Sequence, residues 1–165
     1  METLDSALEL VFKDCFFASV DLKKAYYSVL VSPQFRKYLR LEWAGQLYRY
    51  VVLPNGLSSA PKTFTRIVKV VACELRKTGF KASFILDDSL LLSNSYQGCR
   101  RNSEATIAML CNADFDINYA KSALLPSHRV QFLGFTIDSQ ELKVFLPEDK
   151  VSRMKRLCSG VRGLW

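Results

Sequence analysis

The sequence predicts an α+β fold, an antiparallel sheet packed by helices. Three observations lead there. Apolar runs of strand length come in adjacent pairs separated by short polar breaks, as in 83–92 and 130–146. Between such pairs lie stretches with apolar residues at helical spacing, clearest in Phe64, Ile67, Val68, Val71 and Leu75. No internal repeat, low-complexity segment or linker divides the 165 residues, which suffice for one domain with a real core.

Taken in order, Asp5 to Phe12 suggests a short helix delivering the chain to a buried strand, 15–20, that ends at Asp21. Residues 22–30 suggest a helical turn or two, closed by Ser32-Pro33. A hairpin is expected from 38–43 and 46–52 around Ala44-Gly45, with Arg36, Lys37, Arg40 and Arg49 set among Tyr38, Trp43, Tyr48 and Tyr50. Such a surface suits either an ordinary solvated face or a nucleic-acid strand. The loop 53–61 is built from turn formers and opens a helix, with Ser59 as its cap and Pro61 in its first turn. Gly79 ends that helix. Two apolar runs, 83–86 and 89–92, then flank Asp87-Asp88 in a tight hairpin with acids at its tip. A further helix is expected to carry Ile107, Leu110 and Cys111 inward. After it come an edge strand at 114–118, a loop through Lys121 to Pro126, and a hairpin of 130–137 with 142–146. A last helix starts at Pro147, with acids in its first turn and Val151, Met154 and Leu157 as its apolar stripe.

Lys plus Arg exceed Asp plus Glu by 23 to 16, giving a net charge of +7 and a pI near 9.2, a balance that favours an anionic partner. Apolar runs stop well short of the roughly 20 residues that a membrane span requires. The first residues lack the basic start of a secretory signal, so an intracellular protein, cytoplasmic or nuclear, is expected. Five scattered cysteines without Cys-x-x-Cys spacing suggest reduced, mostly buried thiols. Phosphate-loop and dinucleotide fingerprints are absent. His128, the only histidine, has no evident nucleophile beside it, which argues against a Ser-His-Asp hydrolase. A carboxylate-pair glycosidase gains no support from the basic balance.

The acids carry the chemistry. Asp21 ends one apolar strand and Asp87 ends another, so if the strands are neighbours both carboxylates reach one sheet edge. That layout suits two hard cations about 3.5–4 Å apart, stabilising the attacking and leaving oxygens of a phosphoryl transfer. An Asp-Asp hairpin turn facing water and a helix-capping Asp21 are the plain alternatives.

Several motifs in the right order resemble the reverse transcriptases of retroelements, of the long-terminal-repeat and tyrosine-recombinase retrotransposon type. Residues 17–27, Phe-Ala-Ser-Val-Asp-Leu-Lys-Lys-Ala-Tyr-Tyr, resemble the first catalytic motif. Residues 53–64 resemble the nucleotide-binding loop and helix, 84–91 the hairpin with the acid pair, and Phe132-Leu133-Gly134-Phe135 the primer-grip hairpin. The resemblance implies a polymerase palm with a ferredoxin-like core and RNA-directed DNA polymerase activity. Asp21 and Asp87 would bind two Mg²⁺ ions (Mn²⁺ possible), with Asp88 completing the cluster. Tyr26 would be the gate favouring deoxynucleotides. Asn55 and Gly56 would sit at the incoming nucleoside triphosphate, Arg36 and Lys37 near the template, and Lys121 near the leaving pyrophosphate. Leu133, Gly134 and Phe135 would hold the primer. It also implies a primed RNA or DNA template as partner and a polyprotein context. The expected organisation is a palm with part of the fingers across 1–165, without thumb or RNase H. Three positions depart from the pattern: Ile85 replaces Tyr or Phe, Lys24 a frequent Asp, and Asn55 the usual Phe or Gln. They keep open a non-catalytic nucleic-acid-binding remnant, and a protein-interaction scaffold is a third reading.

Overall fold

Strand β1, Phe16–Lys23, alternates its side chains between two packing layers, and the rest of the chain assembles on either side of it. The computed structural model describes residues 2–161, with side chains described through 158. Helix α1 is Leu4–Leu8, shorter than the sequence suggests; Thr3 and Ser6 cap each other's backbone at its start. The central sheet has the order β4-β5-β1-β6, where β4 is Lys81–Ile85, β5 is Asp88–Ser93 and β6 is Asp116–Ile117; β7, Ala123–Ser127, also pairs with β1. Helix α2, Ala60–Lys77, joins β1 to β4, and helix α3, Tyr96–Asn112, joins β5 to β6. This is the βαββαβ arrangement of a ferredoxin-like core, antiparallel throughout.

On one face Ala18, Val20 and Leu22 of β1 meet Phe84 and Leu91, covered by Phe64, Val68 and Leu75 of α2 and Leu110 of α3. On the other face Phe17, Ile85, Leu90 and Leu92 pack against Val130, Phe132 and Ile137 of a second, three-stranded sheet. That sheet comprises β8 (Arg129–Phe132), β9 (Phe135–Asp138) and β10 (Lys143–Phe145). A separate hairpin of β2 (Arg40–Trp43) and β3 (Gln46–Arg49) stands apart from both layers, with Trp43 and Leu47 more than two-thirds exposed. Helix α4 is Glu148–Val161.

Local chemistry explains where the expectations fail. The helical turn expected in 22–30 is present as a 3-10 helix at Ala25–Ser28 but starts late: β1 runs through Lys23, and Lys24 at φ 54° turns the chain into it. Pro33 starts a second 3-10 helix through Tyr38. Residues 130–137 are not one strand, because Leu133 and Gly134 both take positive φ and make a two-residue turn. The expected loop before Pro126 is strand β7. Within α2, Ala60 and Ala72 face the core whereas Ile67 is exposed. The inner face of α3 is polar: Cys111 is exposed, while Asn102 is wholly buried. Its Nδ2 donates to the carbonyls of Lys81 (2.9 Å) and Leu92 (3.3 Å), which removes the cost of burying the amide. Met154 and Leu157 of α4 are exposed. Of the cysteines, only Cys15 and Cys99 are buried, while Cys73, Cys111 and Cys158 are exposed.

Among the described residues Ser89 is the exception to polar satisfaction. Its hydroxyl is buried without a partner, between Val20 and Phe84 in the strand register. Ser89→Ala is therefore expected to stabilise the fold by about 1 kcal/mol, since it removes an unpaired polar group from the helix-covered layer. A urea midpoint that falls in the variant contradicts this.

Candidate active site

Antiparallel register places Asp21 of β1 directly opposite Asp88 of β5. Directly opposed residues share a sheet face with Cβ atoms roughly 5 Å apart, so the two side chains stand side by side. They line a cavity of about 670 Å³ between the central sheet and the second sheet, together with Lys121, Leu133, Gly134 and Lys150.

The backbone around Asp21 is held by the turn that follows β6. Its N–H donates to Ser122 Oγ (3.0 Å), its carbonyl accepts from the Asn118 N–H (2.8 Å), and Ser122 Oγ donates to the Asn118 carbonyl (2.9 Å). That clamp brings Lys121 to the cavity edge. The acid hairpin is tied to β1 by the Leu22 N–H, which donates to the Asp87 carbonyl (3.0 Å). Its tip is Leu86-Asp87, between the partners Ile85 and Asp88. Only Leu86 takes positive φ, 56°, which is the pattern of a type II′ turn without its usual glycine.

Asp88 is half-buried, and its carboxyl is pushed up to about 6, first by burial and then by the charges of Asp87 and Asp21, with Lys121 partly offsetting them. Asp87 is exposed and outside the cavity lining. Its charge reaches in two directions, because it also raises the Tyr26 hydroxyl, whose chief perturbation is burial. The Tyr26 ring packs on Phe64 with centroids 5.2 Å apart. Tyr26 is thus a half-buried aromatic packed against the core, with a hydroxyl end that senses the acid turn.

The other expected residues lie farther out. Asn55 is exposed and donates through Nδ2 to the Tyr27 hydroxyl (3.1 Å). Gly56, at φ 86°, has open space where a side chain would be. Arg36 Nε donates to the Val31 carbonyl (2.8 Å), and Lys37 Nζ sits 5.0 Å from the Tyr38 ring centre. Neither lines the carboxylate cavity. Of the residues expected to hold the primer, Leu133 and Gly134 do, whereas Phe135 begins β9 outside the lining. Sequence reasoning missed Ser122 and Lys150. Ser122 had a local signal, four residues after Asn118, while nothing local ties Lys150 to Gly134. Ser139 Oγ lies 3.4 Å from His128 Nδ1, but it is fully buried and donates to the Cys15 carbonyl at 2.6 Å, so it is no exposed nucleophile.

Among the described residues no group of three or more His, Cys, Asp or Glu forms a metal centre. The donor set nevertheless fits Mg²⁺, which uses one or two carboxylates and completes its shell with water and substrate phosphates. The raised Asp88 carboxyl reports a pair of acids whose mutual repulsion a cation would relieve.

A ferredoxin-like sheet with carboxylates on two adjacent central strands is the layout found in the palm of nucleic-acid polymerases. The family described as reverse transcriptase (RNA-dependent DNA polymerase) matches residues 2–137. The chain is 25% identical over 133 residues to the Pro-Pol polyprotein of simian foamy virus type 3, covering 81% of this chain and 11% of that one. It is 26% identical over 137 residues to the transposon Tf2-3 polyprotein of Schizosaccharomyces pombe, covering 83% of this chain and 10% of the relative. Among solved structures, a foamy viral protease-reverse transcriptase in complex with double-stranded DNA superposes with a TM-score of 0.81 at 21% identity, covering 94% of this chain and 26% of that one. The chain belongs to the reverse transcriptase family and spans about a tenth of the length of these curated relatives. Members of that family generally use divalent metal ions. No helix among the described residues is long and apolar enough to cross a membrane.

Proposed function

We propose that this chain is the palm, with part of the fingers, of an RNA-directed DNA polymerase within a retrotransposon polyprotein, and that it joins deoxynucleotides to a primer. The 3′ oxygen of the primer forms a bond to the α-phosphorus of a deoxynucleoside triphosphate. The bond to the β-phosphate oxygen breaks, pyrophosphate leaves, and the 3′-hydroxyl proton passes to solvent. Asp21 and Asp88, with Asp87 beside them, would hold two Mg²⁺ or Mn²⁺ ions, which supply charge stabilisation to the attacking and leaving oxygens when bound. Lys121 offers its ammonium to the leaving pyrophosphate. Tyr26 faces the sugar, Asn55 and Gly56 the incoming nucleotide, Arg36 and Lys37 the template, and Leu133-Gly134-Phe135 the primer. The reading rests above all on Asp21 and Asp88 facing one cavity across adjacent strands. It draws support from neighbours solved with double-stranded DNA and with an RNA/DNA hybrid. Five free cysteines suit a reducing compartment, cytoplasmic or nuclear.

A non-catalytic nucleic-acid-binding remnant is favoured by two observations. Ile85 is only 7% exposed and packs in the core layer, offering neither ring nor hydroxyl to a primer. Lys24 holds the left-handed conformation that Asp adopts more readily. Primer extension on an RNA template with Mg²⁺ or Mn²⁺ separates the readings. Template-directed addition of one or more nucleotides is expected. Salt-sensitive binding without extension in either metal selects the remnant.

A further inference from the structure

The turn between β8 and β9 meets the first turn of α4 inside the carboxylate cavity. Lys150 Nζ donates to the Gly134 carbonyl at 2.9 Å, and both residues line the cavity with Asp21, Asp88 and Lys121. Gly134 has φ 76°, and a Cβ built there would meet the flexible end of Lys150 at Nζ. The ammonium therefore occupies space that only glycine leaves open. Two further features separate this lysine from a surface charge that happens to touch a carbonyl. It stands in the first helical turn, where the helix dipole disfavours a cation. Among the described residues it has no ion-pair partner, so its charge is not spent on a neighbouring carboxylate. An ammonium carries three donors and the Gly134 carbonyl takes one, which leaves two for other acceptors on this exposed side chain.

We infer that Lys150 is a strand-binding residue: it pins the Leu133-Gly134 turn to α4 and offers its remaining donors to a backbone phosphate of the primer lying on that turn. The inference rests on the polymerase reading above. Asp21 and Asp88 repel a phosphate backbone, while Lys121 and Lys150, which line the same cavity, counter that repulsion. Sequence-independent affinity, rather than base choice, is what such a contact supplies.

The test is the salt dependence of primer–template affinity, read by fluorescence anisotropy on the whole chain and on Lys150→Met and Lys150→Arg. Lys150→Met is expected to weaken binding several-fold at low salt and to flatten the slope of log affinity against log salt by about one. Lys150→Arg is expected to keep the wild-type slope. Should Lys150→Met melt early, Lys150→Gln, which retains a donor but not the charge, is expected to show the same flattening. Wild-type binding with unchanged slopes in Lys150→Met and Lys150→Gln overturns the inference and leaves a purely structural strap. A wild-type chain without salt-dependent binding removes the polymerase reading itself, and Lys150 with it.

Discussion

Asp21→Asn and Asp88→Asn are each expected to lower metal-dependent primer extension by at least about a thousandfold, corresponding to about 4 kcal/mol of transition-state stabilisation. An amide keeps the volume and one acceptor oxygen but loses the charge that holds a hard cation. The two substitutions should leave the fold intact, because among the described residues neither carboxylate makes a salt bridge and Asp21 is held through its backbone. For Asp88→Asn the effects on activity and stability have opposite signs. Asp88 is half-buried next to two acids, so the neutral amide is expected to raise the metal-free melting temperature while extension is lost. Extension within tenfold of wild type in either variant removes the paired carboxylates from the mechanism.

The same acid makes stability depend on pH in a direction opposite to that of an ordinary salt-bridged carboxylate. Its folded-state pKa is about 6 against an ordinary 3.8, so the folded protein binds this proton more tightly than the unfolded chain does. Without divalent ions the contribution of Asp88 is most favourable below pH 4. It declines as pH rises from about 4 to about 6 and then levels off, a change of about 3 kcal/mol at most. Asp138 slopes the other way at lower pH: backbone N–H groups of Glu141 and Gln140 hold its carboxyl low, and that stability is lost on acidification. The difference between wild type and Asp88→Asn therefore isolates the Asp88 contribution. It is expected to widen across pH 4–6 in chelator and to close when Mg²⁺ is added. Urea titrations at pH 4, 5, 6 and 7 check this, and a gap that is flat with pH contradicts it.

What was legible in the sequence was the part that rests on periodicity and short spacing. The apolar runs of 15–20, 83–86 and 89–92 placed three strands, and register then put Asp21 opposite Asp88 rather than opposite Asp87. A one-residue difference of that kind depends on turn geometry: Leu86 and Asp87 form the turn, so Asp88 is the first paired residue of β5. Leu133-Gly134 lies within a run that reads as one strand, and only the positive φ of both residues breaks it. The polar inner face of α3 was hidden because Asn102 is buried by hydrogen bonds to strand carbonyls that sequence spacing does not reveal. Lys150 was invisible for a related reason, since its partner is a backbone carbonyl on another element. The motif resemblance supplied what periodicity missed at Phe132–Phe135, where it implied a hairpin and a hairpin is present.

The most direct measurement is Mn²⁺ binding followed by the loss of its free-ion electron paramagnetic resonance signal, with a chain-terminated primer on an RNA template and the matching deoxynucleoside triphosphate present. Wild type is expected to bind Mn²⁺ saturably beyond the nucleic acid and nucleotide alone, and an Asp21→Asn, Asp88→Asn double variant is expected to lose that binding. Equal Mn²⁺ uptake by the folded double variant would contradict the assignment of these two carboxylates as the metal-holding centre.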